Sequence, residues 1–520
     1  MPNNRPNILI FMTDQEQADV VHPEHPCITP NAKRLAEEGV LFTRSYCPTA
    51  HCCPSRASFM TGLYPSRHGV YNNVSNPTAI HHALNPGIRM FSEGLRESGY
   101  HLSYSGKWHV TDEENPADRG WEELFVTAPK GSYMHTSFER WEKIAQEEKA
   151  APDRPRGRGQ VIRPGWGHYQ LYKSIPTNTP KGYENLHDYK AVRAGIEALP
   201  RLAAGGKPWM LHIGPGGPHD PFIIPKKFAD MYDPKKIELP PSFHDMLEDK
   251  PRVYQRMRHQ YWGQLTEDEV RESIAHYWGY CTMEDAMFGE VLDALDATGQ
   301  SENTLLLFMS DHGEYCGAHG LYCKGVPSFR EAVNIPTIAR WPAGIRNPGR
   351  EVDDFVTLAD FAPTFLELAG CEVPKGLTGR SIVPFFNDER PADWPDAYFG
   401  QLNGVELYYS QRVVQTKDYK YVYNGFDFDE LYDLKSDSHE MVNLAAPDRN
   451  PQIPMHADFH RTTRSYEPWP RLAPELEKVR RELLRKMWRF GRRENDIIFN
   501  SYATVAFAPF GPADALGGEE

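Results

Sequence analysis

The pattern of apolar and polar positions divides most of the chain into short apolar runs separated by amphipathic stretches. Three continuous apolar runs, each typical of a strand covered on both faces, occupy residues 7–12, 207–213 and 303–309. Between the last two, the capping-box pattern from Thr266 to Glu269 predicts a long helix that extends to about Leu295. Strands that alternate with helices in this way predict an α/β domain with a largely parallel sheet.

The pattern changes after residue 385, where short aromatic strands precede a helix predicted from about Pro474 to Phe490. Earlier in the chain, residues 125–190 are rich in Pro, Gly and Arg and lack a clear period, which is typical of an insertion that decorates a site. We predict an α/β domain over 1–385 that contains this insertion at 125–190, a smaller α+β subdomain over 386–490 and an aromatic tail over 491–520.

Composition narrows the possible partners. The 520 residues carry 57 Lys and Arg against 71 Asp and Glu, a formal net charge of −14, so the surface repels phosphate backbones and anionic lipids. We therefore expect no nucleic acid and no membrane partner. No apolar run approaches the roughly 18–20 residues that span a bilayer, and the first one is too short for a secretory signal. Unless a leader was trimmed, the sequence predicts a cytoplasmic protein. The 8 cysteines, scattered except for one adjacent pair, predict no disulfide framework.

Two predicted strands end in the same way, one in Asp14-Gln15 and the other in Asp311-His312. In open α/β sheets ligands bind beyond the carboxyl ends of the strands, so these four side chains are candidates to converge on one divalent cation. Three oxygen donors and one imidazole suit Ca²⁺, Mg²⁺ or Mn²⁺ better than a structural zinc. The alternative is that each Asp only caps the turn that follows its strand.

A third chemical motif runs from His51 to Gly62, with the sequence HCCPSRASFMTG. Pro54 suits the first turn of a helix that Gly62 ends, so Cys52 would lie at the positive helix N-terminus, with Arg56 one turn further. The pattern Cys-x-Pro-Ser-Arg followed by Thr-Gly resembles the signature of the type I sulfatases, in which the Cys is oxidised to formylglycine. Cys53 is interpreted as a structural neighbour.

Further segments agree with this resemblance in order and spacing. They are Gly106-Lys107-Trp108-His109, Pro218-His219, the segment from Ser310 to Glu314 with Lys324, Glu430 to Leu434, and Asn443-Leu444-Ala445. The resemblance covers roughly residues 5 to 450. It implies an alkaline-phosphatase-like α/β/α sandwich around a large mixed, mostly parallel sheet, with a smaller C-terminal α+β domain.

The resemblance also implies roles for individual residues. A formylglycine-generating enzyme would modify Cys52, and one divalent cation would be held by Asp14, Gln15, Asp311, His312 and the modified Cys52. The remaining implied roles are Arg56 as activator of the nucleophile, Lys107 and Lys324 as sulfate ligands, His109 as base, His219 or Lys324 as acid, and Asn73 as a further donor, with Asn72 as the neighbour it could be confused with.

Two positions depart from most related sulfatases, which carry a second Asp at the place of Gln15 and an Asn at the place of His312. The pair found here resembles the phosphonate monoester hydrolases and choline sulfatases, and it favours Mn²⁺ relative to Ca²⁺. Lys107 and His109, in contrast, resemble sulfatases. The resulting prediction is a hydrolase of sulfate monoesters. The alternatives are a phosphonate monoester or phosphodiester hydrolase with the same nucleophile, and a non-catalytic anion-binding protein in which Cys52 is never oxidised.

The substrate is expected to be a small-molecule or saccharide sulfate ester, and its alcohol half (sugar, aryl, choline or lipid) stays open. A basic cluster in the insertion either meets an anionic substrate or forms a solvated loop; its members are Arg154, Arg156, Arg158 and Arg163. The aromatic tail after Gly491 suggests an arm that reaches a neighbouring subunit, as in some relatives of this kind, and predicts a homo-oligomer.

Overall fold

The structure is a computed structural model that describes residues 5–77, 79–131, 139–151, 153–163, 167–404, 408–447 and 472–500. Its α-helices are α1 (Pro30–Glu37), α2 (Cys52–Thr61), α3 (Pro65–His68), α4 (Phe91–Glu97), α5 (Glu139–Ala150), α6 (His187–Ala204), α7 (Lys226–Ala229), α8 (Arg252–Gln260), α9 (Glu267–Ala297), α10 (Arg330–Val333), α11 (Phe361–Leu368), α12 (Val383–Phe386) and α13 (Pro474–Arg493). In this part of the chain no helix combines the length and apolarity needed to span a membrane.

One mixed sheet forms the centre of the molecule. Its strands are β1 (Asn7–Thr13), β2 (Val40–Phe42), β3 (His101–Lys107), β4 (Glu122–Thr127), β5 (Trp209–Gly214), β6 (Thr304–Ser310), β7 (Thr337–Arg340) and β8 (Arg350–Val352). They lie in the order β8-β2-β7-β6-β1-β5-β3-β4, and β7 alone among them runs antiparallel to its neighbours. The three apolar runs are thus the central strands β1, β5 and β6, as predicted.

Helices cover both faces of this sheet. Adjacent residues of a strand point to opposite faces, and the two faces meet different helices. Phe11 of β1 packs against Phe288 of α9, with ring centroids 5.1 Å apart. His212 of β5 instead lies against Phe59 of α2, at 6.4 Å. This arrangement confirms the predicted α/β/α sandwich.

A separate antiparallel sheet follows in the C-terminal part, with strands β9 (Tyr398–Leu402), β10 (Gln411–Gln415), β11 (Tyr419–Asn424) and β12 (Glu430–Asp433) in sequential order. One face packs against α13, where Leu483, Leu484 and Met487 lie in an apolar cluster with Val414 and Leu431. The predicted small α+β unit is confirmed. The exact domain boundaries stay a prediction, and residues 501–520 of the predicted tail lie outside the described residues.

The predicted insertion contains short strands that pair with one another and with a segment that follows β5. Gln160–Arg163 and Gly167–Gln170 pair as antiparallel strands, and Tyr172–Ile175 pairs in parallel with Phe222–Pro225. A further short pair joins Ser45–Tyr46 to Val356–Thr357. The first two pairs bring part of the insertion next to the loop that follows β5.

Candidate active site

The candidate site begins where the two central strands end. β1 and β6 pair in parallel with Thr13 opposite Ser310, so Asp14 and Asp311 leave the sheet side by side. The backbone N–H of Gln15 donates to Asp311 Oδ1 at 3.2 Å, which ties the two turns together. Asp14, Gln15, Asp311 and His312 are all fully buried. The convergence expected from the sequence is therefore what the structure shows.

Helix α2 brings Cys52 to the same point. Its N-terminal turn contains Cys52, and Gly62 ends it in the left-handed conformation, with φ of 72°. The Cys52 Sγ lies 3.2 Å from His312 Nε2 and 3.8 Å from Asp14 Oδ1. The first turn of a helix leaves backbone N–H groups without helical partners, and Asn73 Oδ1 accepts from one of them, the Cys53 N–H, at 3.1 Å.

The two candidate asparagines thus have different surroundings. Asn73 contacts the start of α2 beside Cys52, whereas the Asn72 Oδ1 accepts from the Ile80 N–H at 3.0 Å. The geometry supports Asn73 over Asn72 as the residue near the nucleophile.

Asp14, Cys52, Asp311 and His312 form what we call the cation cluster, since each offers a ligand atom and these atoms lie within 4.8 Å of one another. The Nδ1 of His312 is 3.0 Å from the carbonyl oxygen of Gly313 and donates to it. The other ring nitrogen, Nε2, faces the Asp14 and Asp311 carboxylates, each at 3.6 Å. Two carboxylates, one imidazole lone pair and a thiol fit a divalent cation.

Two basic side chains compensate the buried carboxylates. Arg56, 1% exposed, donates from Nε to Asp311 Oδ2 at 2.8 Å and from Nη2 to Asp14 Oδ2 at 3.3 Å. The ammonium group of Lys107 also contacts Asp14 Oδ2. Burial, and then the charge of Cys52, would raise the pKa of Asp14, but Lys107, His219 and Arg56 hold it well below its ordinary value. Asp14 is therefore ionised.

The same charges act on the thiol. Burial alone would raise the pKa of Cys52, yet the positive charges of Lys107 and Lys324 hold it well below its ordinary value. Cys53, whose sulfur accepts from the Val74 N–H, has its pKa raised, first by burial and then by the charge of Cys52. Cys52 is thus the reactive thiol of the adjacent pair.

His109 lies on the turn after β3 and completes this side of the site. Its Nε2 is 3.0 Å from Ser75 Oγ, and its Nδ1 has no hydrogen-bond partner among the described residues. Burial, and then the charge of Lys107, lower the pKa of His109. A neutral imidazole beside Cys52 is able to accept a proton.

On the opposite side, Lys324 joins two other predicted residues. Its ammonium group contacts Gln15 Oε1 and His219 Nε2. The Nδ1 of His219 donates to the Asp220 carbonyl oxygen at 2.6 Å, so its Nε2 carries the lone pair that receives Lys324. His219 is 31% exposed, which places it at the open edge of the site. All predicted site residues thus lie around one centre, with Gln15 turned toward Lys324.

The sequence analysis assigned no role to three residues that border this centre. Asp220 follows His219 directly, Glu314 is two residues after His312, and Tyr169 belongs to the insertion. Tyr169 donates its hydroxyl proton to Asp220 Oδ2. A carboxylate directly beside a predicted catalytic histidine was the one signal available in the sequence.

The basic cluster of the insertion divides into different environments. Arg156 forms a two-bond pair with Glu269 at 2.7 and 2.8 Å, and Arg158 pairs with Glu272. Arg163 lies over the Tyr169 ring, with its guanidinium carbon 5.2 Å from the centroid. Arg156 therefore ties the insertion to α9, whereas Arg158 is paired with the same helix at the surface, and neither is free to bind an anion.

Comparisons with known proteins agree with this geometry. A family model described as Sulfatase matches residues 6–371, and one described as N-sulphoglucosamine sulphohydrolase, C-terminal, matches residues 317–462. The chain is 29% identical to the choline-sulfatase of Rhizobium meliloti (strain 1021) over 477 residues, covering 87% of this chain and 84% of that protein. It is 28% identical to the arylsulfatase of Clostridium perfringens (strain 13 / Type A) over 455 residues, covering 85% and 90%.

A solved structure with a similar fold is the phosphonate monoester hydrolase of Agrobacterium radiobacter. Its TM-score is 0.70 at 23% identity, and the match covers 94% of this chain and 96% of that one. At this identity the likeness concerns the fold.

Proposed function

We propose, from the premise that this chain belongs to the sulfatase family and is a sulfuric ester hydrolase, that it cleaves a sulfate monoester to an alcohol and sulfate with a formylglycine derived from Cys52 and one divalent cation. The observation that carries the proposal is the position of Cys52. Its sulfur lies at the N-terminus of α2, 3.2 Å from His312 Nε2. The positive charges of Lys107 and Lys324 hold the pKa of this thiol well below its ordinary value.

The cation would be held by Asp14, Asp311 and His312, together with Gln15 and residue 52. When bound, it supplies positive charge that acidifies a hydroxyl group and polarises the sulfate oxygens. Oxygen ligands with one imidazole suit Ca²⁺ or Mn²⁺. In its absence Arg56 and Lys107 already offset part of the negative charge of the two carboxylates.

Residue 52 is the nucleophile. A formylglycine-generating enzyme converts its thiol to an aldehyde, and hydration gives two hydroxyl groups on one carbon. One attacks sulfur while the alcohol departs. Deprotonation of the second then breaks the C–O bond to sulfate and restores the aldehyde, so water need not attack sulfur. We assign this proton to His109, because burial and the charge of Lys107 lower its pKa and its Nδ1 has no hydrogen-bond partner among the described residues.

The leaving alcohol receives its proton from the opposite side. Because His219 donates from Nδ1 to the Asp220 carbonyl, it accepts at Nε2 from Lys324. Lys324 is therefore the proton carrier of this pair, and its raised pKa keeps it charged: burial opposes the charge, but Cys52 and Asp220 stabilise it. Lys107 and Lys324 also flank the position of the sulfate oxygens.

The second candidate is a phosphonate monoester hydrolase that uses the same nucleophile. The observation in its favour is the pair Gln15 and His312 at the cation cluster. Lys107 and His109, which resemble the sulfatases, favour the first candidate, and Lys107→Ala should lower kcat/KM for an aryl sulfate more than for an aryl phosphonate. The ratio of the two rates in the unaltered protein, and its change in Lys107→Ala, decide between the candidates.

The deciding experiment is mass spectrometry of the tryptic peptide that contains Cys52, from protein made with and without a formylglycine-generating enzyme. Conversion of the thiol to an aldehyde lowers the mass by about 18 Da, and the same sample should gain turnover of an aryl sulfate. A peptide that keeps its thiol when the modifying enzyme is present removes the nucleophile and leaves the anion-binding alternative.

We also propose that the substrate is a small-molecule or saccharide sulfate ester, and that the aromatic tail over 491–520 connects subunits of a homo-oligomer. A truncated chain for testing this proposal should keep the residues up to Asn500, because Asp496 forms a buried ion pair with Arg412 that its loss would break. Gel filtration of a chain truncated after Asn500 should show a smaller assembly than the full chain, and an unchanged mass would contradict the proposal.

A further inference from the structure

We propose that Asp220 and Glu314 are positioning residues that hold the Gln15 side-chain amide in one orientation, with its oxygen toward Lys324 and the centre of the site. Together with Cys323 these residues form what we call the amide clamp. The expected effect of the clamp on metal binding and kcat rests on the proposed function. The clamp itself is inferred from the hydrogen bonds around Gln15.

The clamp first resembles a second cation site. Asp220, Glu314 and Cys323 offer ligand atoms that lie within 4.8 Å of one another. The Gln15 Nε2, however, donates to Asp220 Oδ1 at 3.0 Å and also contacts Glu314 Oε2. Its two N–H groups thus face two carboxylate acceptors. The space that a cation would need is taken by a neutral donor.

The two carboxylates are themselves fixed by further donors. Glu314 Oε1 accepts from the backbone N–H groups of Cys316 and Cys323, at 2.9 and 2.6 Å. The second oxygen of Asp220 accepts from the Tyr169 hydroxyl. Neither carboxylate is able to turn without losing one of these bonds, so both present an acceptor to position 15.

Lys324 determines the direction in which the side-chain oxygen of Gln15 points. Its ammonium group has only donors and contacts Gln15 Oε1. A reversed amide would place its NH₂ against this ammonium group and its oxygen against two carboxylates. Every contact in the network is satisfied in one orientation alone, which keeps the oxygen of Gln15 on the side of Lys324.

The network also explains why a glutamine occupies position 15. The carboxyl groups of Asp220 and Glu314 already face the side-chain nitrogen of residue 15. A third carboxylate at position 15 would lack the N–H groups that separate the other two. A neutral amide provides an oxygen on one side and two donors on the other.

The test exchanges donor and acceptor between two positions of the full chain. In Glu314→Gln the new side chain keeps an oxygen for the two backbone N–H groups and presents NH₂ to the NH₂ of Gln15. In Gln15→Glu a carboxylate faces Asp220 and Glu314. The double variant reverses the pair, because the NH₂ of Gln at position 314 then donates to the carboxylate at position 15.

We expect each single variant to bind Mn²⁺ about 10- to 100-fold more weakly in calorimetric titration, the usual range for residues that orient metal ligands, with a lower kcat. The loss of Mn²⁺ binding free energy in the double variant should be at least about a third smaller than the sum of the two single losses. Glu269→Gln is the matched control, since Glu269 is a buried carboxylate that accepts from the Gly159 N–H outside the site. It should leave Mn²⁺ affinity unchanged.

The same double-mutant cycle is measured as urea unfolding of the metal-free proteins. The proposal requires the double variant to be more stable than the sum of the single effects. Additive effects, or unchanged Mn²⁺ affinity and kcat in Glu314→Gln, would overturn it. If the unaltered protein bound neither Mn²⁺ nor Ca²⁺, the proposed function would fail, and the unfolding cycle would still decide on the clamp.

Discussion

The cation cluster and the amide clamp are neighbouring groups of potential metal ligands with opposite surroundings. In both, the ligand atoms lie within 4.8 Å of one another, and both contain two carboxylates and a cysteine. In the cation cluster the imidazole nitrogen Nε2 of His312 faces the carboxylates, and Arg56 and Lys107 offset their charge. In the amide clamp, N–H donors of Gln15 and of the backbone occupy the acceptors. Proximity of acidic groups alone therefore does not define a cation site, because the groups that face the carboxylates differ between the two clusters.

The cysteines of the two groups show the same contrast. Although both are buried, the charges of Lys107 and Lys324 hold the pKa of Cys52 well below its ordinary value. Burial, and then the charges of Asp220 and Glu314, raise the pKa of Cys323 well above it. The thiol of Cys52 is therefore reactive, whereas the thiol of Cys323 is unreactive and has a structural role.

The largest expected effect separates these two cysteines. Cys52→Ala should lower sulfatase activity by more than about 1,000-fold, because the nucleophile is lost. Cys323→Ala should change kcat/KM only slightly, since only the backbone N–H of Cys323 serves the clamp. Steady-state kinetics on an aryl sulfate measure both, with thermal unfolding as the control for folding. Comparable losses of activity in the two variants would contradict the assignment of Cys52 to a reactive group and Cys323 to a structural one.

Metal removal should have the next largest effect. Treatment with a chelator is expected to lower activity at least about 100-fold, and Mn²⁺ or Ca²⁺ should restore it. Elemental analysis of the reloaded protein should give one ion per chain, because Gln15, Tyr169 and two backbone N–H groups already donate to the carboxylates of the amide clamp. A second tightly bound ion that disappears in Asp220→Asn would place a cation in the clamp and contradict the comparison.

The sequence was sufficient for the cation cluster because its members follow strands. Asp14 and Asp311 come directly after continuous apolar runs, and parallel neighbours bring their carboxyl ends together. The same reasoning identified the central strands and the two-layered covering of the sheet. Cys52 was found because its motif resembles the signature of the type I sulfatases, and Pro54 and Gly62 predicted its place at a helix N-terminus.

The amide clamp was beyond such reasoning because its contacts join distant loops. Gln15 meets Asp220 and Glu314, which lie 205 and 299 positions further along the chain. Tyr169 comes from an insertion without a clear period, so its approach to Asp220 depends on pairing between short irregular strands. Local pattern predicts where a strand ends, but not which loop packs against another.

A third prediction concerns the charges under the cation cluster. Arg56→Met should reduce the free energy of unfolding by about 3–5 kcal/mol, because the variant leaves two buried carboxylates without their shared partner. Urea unfolding in the presence of chelator measures this, and added Mn²⁺ should recover part of the loss. Arg158→Met is the control, since its pair with Glu272 is exposed and its loss should not be measurable. Equal stability of the two variants would show that the carboxylates do not depend on Arg56.

The smallest expected effect tests whether the insertion acts on the site through the clamp alone. Tyr169→Phe removes the hydroxyl donor of Asp220 and leaves the ring in place beneath Arg163. One lost hydrogen bond of about 1 kcal/mol corresponds to roughly a fivefold change, so Mn²⁺ affinity should fall by about that factor while the melting temperature stays nearly constant.

Tyr261→Phe is the matched control, because Tyr261 also lies under Arg163. Since Asp220 would then be free to turn away from Gln15, the loss in Tyr169→Phe should vanish when Gln15→Glu is already present. An undiminished loss in that double variant would mean that Tyr169 reaches the cation cluster by another route.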